Sequence, residues 1–135
     1  MKWKAEDMVE QAGKISIVTG SNTGTGFHIA HGLAAKGAHV IMACRNVAKA
    51  TAAREQIVSQ FPNAQVEVEL LDLADLQSIK DFSERMHMSH QHLDLLINNA
   101  GVMIPPKSTT KDGFELQFGT NHLGHFALTG HLLPL

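Results

Sequence analysis

The chain has 135 residues, 44% of them hydrophobic and 18% charged, with a net charge of -2. That length holds one core and falls short of two ordinary domains. The near-neutral charge carries no basic stripe for nucleic acid, and no stretch approaches the ~20 apolar residues of a membrane helix.

The opening MKWKAEDMVEQ has acidic residues and no apolar run, so it reads as neither a signal peptide nor a membrane anchor. Trp3 and Met8 are expected to anchor this leader, residues 1–13, onto the edge of a sheet. Residues 14–19, KISIVT, read as a first buried strand. A glycine turn follows, Thr19-Gly20-Ser21-Asn22-Thr23-Gly24-Thr25-Gly26. Gly20 lets the chain leave the strand sharply. Gly24 and Gly26 remove Cβ atoms where a phosphate approaches the backbone and where helix meets sheet. A helix is expected over 24–36, stopped by Gly37, with its first N–H groups facing an anion. Its spacing is G-x-x-x-G-x-G. A glycine cluster alone is weak evidence, but strand, turn, helix and a second strand at 38–43 complete a βαβ unit around it.

Asn46 is a candidate cap for a helix over 47–60, ended by Phe61-Pro62-Asn63. Residues 65–70, QVEVEL, alternate as an edge strand with one buried face should. A third helix is expected from Asp75 or its neighbour over 75–88, and a fourth strand over 93–97. After Pro105-Pro106, residues 112–134 read as one long helix. The β-α alternation predicts an α/β fold, a Rossmann-type doubly wound parallel sheet in the order 3-2-1-4, truncated after the fourth strand and its helix.

The chain has nine histidines, and His28/His31 and His122/His125 each lie three apart on predicted helices. No set of three or four ligands converges with carboxylate or thiolate help, so no metal site is expected. The one cysteine, Cys44, excludes an internal disulfide, and a cytoplasmic protein is the expectation.

Four motifs in order carry a family resemblance: TGSNTGTG at 19–26, Cys44-Arg45-Asn46, Asp72-Leu73, and Asn98-Asn99-Ala100-Gly101. With Asn121 in NHLGHF, they make the sequence resemble the short-chain dehydrogenase/reductase family along essentially its whole length. The wording ACRN and FGTNHLGHFALT looks most like the retinol-dehydrogenase-like and WW-domain-oxidoreductase-like branch. The leader resembles soluble microbial members of it.

The resemblance implies a nicotinamide cofactor held by Gly20, Ser21, Asn22, Gly24, Thr25, Gly26, Arg45, Asn46, Asp72, Leu73, Asn99, Ala100 and Gly101. Asn22 would bond ribose or phosphate oxygens, or simply close the turn. Thr25 stands where relatives usually carry isoleucine or leucine. Where NAD-preferring relatives place an acid after strand two, this chain has Cys44 followed by Arg45. A guanidinium there would meet the 2′-phosphate of NADP, which makes NAD the less favoured cofactor; a solvated surface arginine is the alternative. Asp72 would accept from the adenine amino group. Asn98 would tie neighbouring strands together. Asn121 matches the family's catalytic asparagine, which holds a water in a proton relay.

The family transfers hydride between nicotinamide and an alcohol or carbonyl carbon, using a tyrosine, a lysine four residues on, and a serine. This chain has no tyrosine. The expected reading is therefore the N-terminal part, residues 1–135, of an NADP-preferring oxidoreductase. Its substrate would be a small lipophilic alcohol or carbonyl compound, and it would be a homo-oligomer when complete. Alone, the chain is expected to be inactive. A non-catalytic NADP(H)-binding module or a truncated remnant is the rival.

Overall fold

The computed structural model describes residues 2–135. Four parallel strands form one sheet in the order β3-β2-β1-β4: β1 (Ile15–Thr19), β2 (His39–Cys44), β3 (Val66–Leu70) and β4 (Leu95–Ile97). The order is the expected one. Helices α1 (Gly24–Ala35), α2 (Val47–Gln60) and α3 (Leu76–Ser89) connect them.

Strand alternation sorts the core into two layers. Val18, Val40 and Met42 point to one face, against Ala30, Leu33 and Ala34 of α1 and Ala50, Ala53 and Ile57 of α2. Ile17, Ile41 and Ala43 point to the other, against Ile79, Phe82 and Met86 of α3 and Leu128 and Leu132 near the C-terminus. β2 is buried on both faces, as a near-continuous apolar run should be. β3 is one edge, opposite β4: Val66 is buried while Leu70 is 49% exposed.

Local signals set the helix ends. Gly37, at φ +85°, ends α1; its N–H reaches Ala34 O and the next N–H reaches Leu33 O, the double bond of a Schellman stop. Asn46 Oδ1 accepts from Lys49 N at 3.0 Å, making the expected cap, and Asp75, the expected start of the third helix, caps it by accepting from Gln77 N at 2.9 Å. In the leader, Met8 packs against the α1-side core, but Trp3 is 68% exposed and anchors nothing.

Two elements differ from expectation. β4 begins at Leu95 rather than 93, because Asp94 turns its carboxylate to Ile15 N and Leu93 N bonds Leu135 O. The last helix is not one rod over 112–134. Residues 110–114 form a turn, with Gly113 at φ +89°, and Glu115 caps a short helix α4 (Leu116–Phe118). A π-helical segment, Gly119–Gly124, follows, and then α5 (His125–Leu132). Gly119 and Gly124 sit so close to Thr110 and to Leu73 O that a Cβ at either would collide. Sequence periodicity carries no record of these contacts.

Candidate active site

The strands' carboxyl ends open on a cleft of about 880 Å³. It lies where the strand order reverses, between β1 and β4, the position where open α/β sheets take ligands. The glycine turn forms one wall. Gly20, at φ +60°, lies under Ala100, whose Cβ would be 2.8 Å from a Cβ at position 20. Gly26 is wedged against the Asn99 amide and Gly20 O. Gly24 differs: it has φ +58° but open space around it. Its glycine serves backbone conformation, not close approach.

Asn22, Thr25 and Gly26 line the cleft, as do Arg45, Asn46, Asp72, Leu73, Asn99, Ala100 and Gly101. Ser21 and Gly24 do not line it. The Ser21 hydroxyl is fully buried and donates to Val18 O at 3.0 Å, so it braces the turn from beneath. Asn46 has two roles, since its side chain caps α2 and the residue also lines the cleft. Among the described residues no ion pair engages Arg45, and Lys49 joins it on the same wall. Asp72 Oδ1 accepts from Ala74 N at 2.9 Å, which sets the turn after β3.

Asn99, not Asn98, ties the strands. Its Nδ2 donates to Thr19 O at 3.0 Å and to Gly20 O at 3.2 Å. Asn98 Nδ2 instead donates to Thr129 Oγ1 at 3.2 Å, joining β4 to α5. The reason is alternation: successive side chains at a strand end leave on opposite faces. The backbone N–H groups of Asn99 and Ala100 both donate to Thr19 Oγ1 at 2.9 Å.

Asn121 is in the π segment, outside the cleft lining. Both atoms of its amide bond one residue: Oδ1 accepts from Val102 N, and Nδ2 donates to Val102 O, each at 2.8 Å. It faces Gly101, where a Cβ would stand 3.3 Å from its Oδ1. His125 is buried behind it, 7% exposed, with Nε2 2.9 Å from Thr19 Oγ1 and Nδ1 3.0 Å from Asn121 O. Burial pushes the His125 imidazole below its ordinary pKa, with the Asn121 carbonyl opposing.

Sequence reasoning missed Thr23, Lys49, Val102, Leu116 and Thr120, which also line the cleft. Lys49 was findable, being one turn beyond the Asn46 cap. Val102 lies in extended chain with no periodic signal. His31 bonds Gln60 Oε1 at 2.7 Å, and His122 stacks on Phe118. Among the described residues no group of three His, Cys, Asp or Glu side chains converges.

A family model described as short chain dehydrogenase matches residues 14–135. The chain belongs to that family. Retinol dehydrogenase 11 of Mus musculus is 53% identical over 125 residues, 93% of this chain and 39% of that protein. Polyprenol dehydrogenase of Danio rerio is 43% identical over 131 residues, 97% of this chain and 40% of that protein. This chain thus spans about two-fifths of the curated relatives it matches. Among solved structures, a Mycobacterium paratuberculosis protein superposes with a TM-score of 0.88 at 46% identity, over 99% of this chain and 47% of that one. A metagenomic short-chain oxidoreductase in complex with NADP gives 0.80 at 27% identity, over 92% and 57%. The family is one of oxidoreductases. Among the described residues no helix is long and apolar enough to cross a membrane.

Proposed function

We propose that this chain is the cofactor-binding part of an NADP(H)-preferring oxidoreductase that interconverts a lipophilic alcohol and its carbonyl partner. The carrying observation is the end of β2. Cys44 is buried there and supplies no carboxylate, while Arg45 lines the cleft with no ion-pair partner among the described residues. The cradle supports a dinucleotide by its shape: Gly20 and Gly26 keep open a space that Cβ atoms would close.

Bound nicotinamide would supply the hydride. The residues of this chain hold and orient. Arg45 and Lys49 would meet the 2′-phosphate, the first turn of α1 would turn its N–H groups to the pyrophosphate, and Asp72 and Leu73 would border the adenine. Asn99 to Val102 form the wall along the nicotinamide, and Asn121 sets the outer end of that wall. The lipophilic substrate is supported by relatives named for retinol and polyprenol.

The test is paired NADPH and NADH titration. Charge-assisted bonds of ~1.5–3 kcal/mol predict roughly 10- to 100-fold tighter NADPH binding. Arg45→Ala should remove most of that ratio and leave NADH affinity little changed. Equal affinities in the unmodified chain refute the preference. The chain has no tyrosine, which favours, for these 135 residues alone, nucleotide binding without turnover. Ketone-dependent NADPH oxidation by this chain would overturn that second reading.

A further inference from the structure

We infer that His125 is a positioning residue of the cleft, held in one tautomer that closes a ring of hydrogen bonds around the loop of residues 99–102. Its consequence for binding rests on the dinucleotide reading above; its geometry does not.

Proton counting decides the tautomer. Thr19 Oγ1 accepts from Asn99 N and Ala100 N, both at 2.9 Å, which occupies its two lone pairs. Its single hydrogen must be donated. His125 Nε2 is 2.9 Å away, while the competing Ile97 carbonyl is more distant at 3.4 Å. The other ring nitrogen, Nδ1, stands 3.0 Å from Asn121 O, and a carbonyl can only accept. The neutral ring therefore carries its hydrogen on Nδ1 and receives the Thr19 hydrogen on Nε2. A second ring hydrogen on Nε2 would face a hydroxyl with no lone pair left.

The ring then closes through the cleft wall. Thr19 holds Asn99 and Ala100, the chain runs on to Val102, and the Asn121 amide holds both backbone groups of Val102. His125 joins Asn121 back to Thr19. Asn99, Ala100, Gly101 and Val102 all line the cleft. They are pinned at one end by the strand and at the other by the π segment, and His125 sets the distance between those pins. Arg45 follows β2 and residues 99–102 follow β4, with β1 between those two strands.

Two measurements test the assignment. Ring-nitrogen NMR of the unmodified chain should show His125 with a protonated Nδ1, a bare Nε2, and a titration moved to lower pH than that of free imidazole. A protonated Nε2, or ordinary titration, overturns the proposal. The second uses His125→Phe and two ligands. NADPH affinity should fall about 5- to 10-fold, because the bonds to Thr19 Oγ1 and Asn121 O are both lost and the wall between them loosens. Adenosine 2′,5′-bisphosphate, which reaches only the Arg45 end, should bind within about two-fold of the unmodified chain. Equal weakening of both ligands, or of neither, overturns the positioning role. Should His125→Phe fail to fold, Thr19→Val against Thr19→Ser gives the same comparison, the hydroxyl of serine restoring NADPH affinity. If neither ligand binds the unmodified chain, the proposed function fails, and the ring-nitrogen spectra alone decide His125.

Discussion

Gly24 and Gly26 stand two residues apart in one motif, yet alanine should affect them differently. At Gly26 a Cβ would overlap the Asn99 amide nitrogen and lie 2.5 Å from Gly20 O and 3.0 Å from Ser21 Cα. None of these can retreat easily. Gly20 is already pressed against Ala100, and Asn99 Nδ2 is bonded to Thr19 O and Gly20 O. Overpacking of this kind costs about 1–3 kcal/mol, and displacing the Asn99 amide forfeits two bonds at about 1 kcal/mol each. Gly26→Ala should therefore lose about 3–5 kcal/mol, a large share of the ~5–15 kcal/mol available to a domain. At Gly24 a Cβ meets nothing within 4 Å, so only the left-handed backbone is penalised, by about 1–2 kcal/mol. Urea unfolding measures both losses, and NADPH-induced stabilisation reports the site, since a binder gains about 2.7 kcal/mol at ligand 100-fold above Kd. Gly26→Ala should lose that stabilisation while Gly24→Ala keeps most of it. Equal losses of stability in the two variants, or unchanged NADPH stabilisation in Gly26→Ala, would refute the packing argument.

Two further outcomes follow from the same geometry. Asn121→Ala removes both bonds to Val102, so NADPH should bind several-fold more weakly. The backbone amide of Val102 should also exchange hydrogen faster; unchanged exchange there would show that the clamp carries nothing. The Asp75 carboxyl is held below its ordinary pKa, first by Lys111 and then by the Gln77 and Ser78 amides, and Glu115 by the Phe118 and Gln117 amides. Each group binds its proton less readily folded than unfolded. Its contribution is present above the unfolded carboxyl value, near pH 4, and is lost as pH falls through the lower folded value. Asp75→Asn should flatten the fall in stability across that window, and an unaltered acid limb would count against the shift.

Much of this fold was legible because its signals are local. The β-α alternation gave the parallel strands and their connecting helices, Gly37 the end of α1, Asn46 the cap of α2 and Asp75 the start of α3. Each depends on neighbours within a few residues or on the period of apolar side chains. The glycine turn and NNAG were legible as motifs, and most of their residues do line the cleft.

The tertiary structure alone decided the division of labour inside those motifs. Ser21 braces the turn, Gly24 serves conformation, and Asn99 rather than Asn98 ties the strands. It also broke the last helix at a π segment against Leu73 and Thr110, and set Asn121 on Val102. The clearest instance is His125, which in sequence is one of nine histidines. Its partner Thr19 lies 106 residues away. Periodicity reports which face of an element is buried; it carries no record of which polar atoms meet across the sheet once the strands are laid side by side.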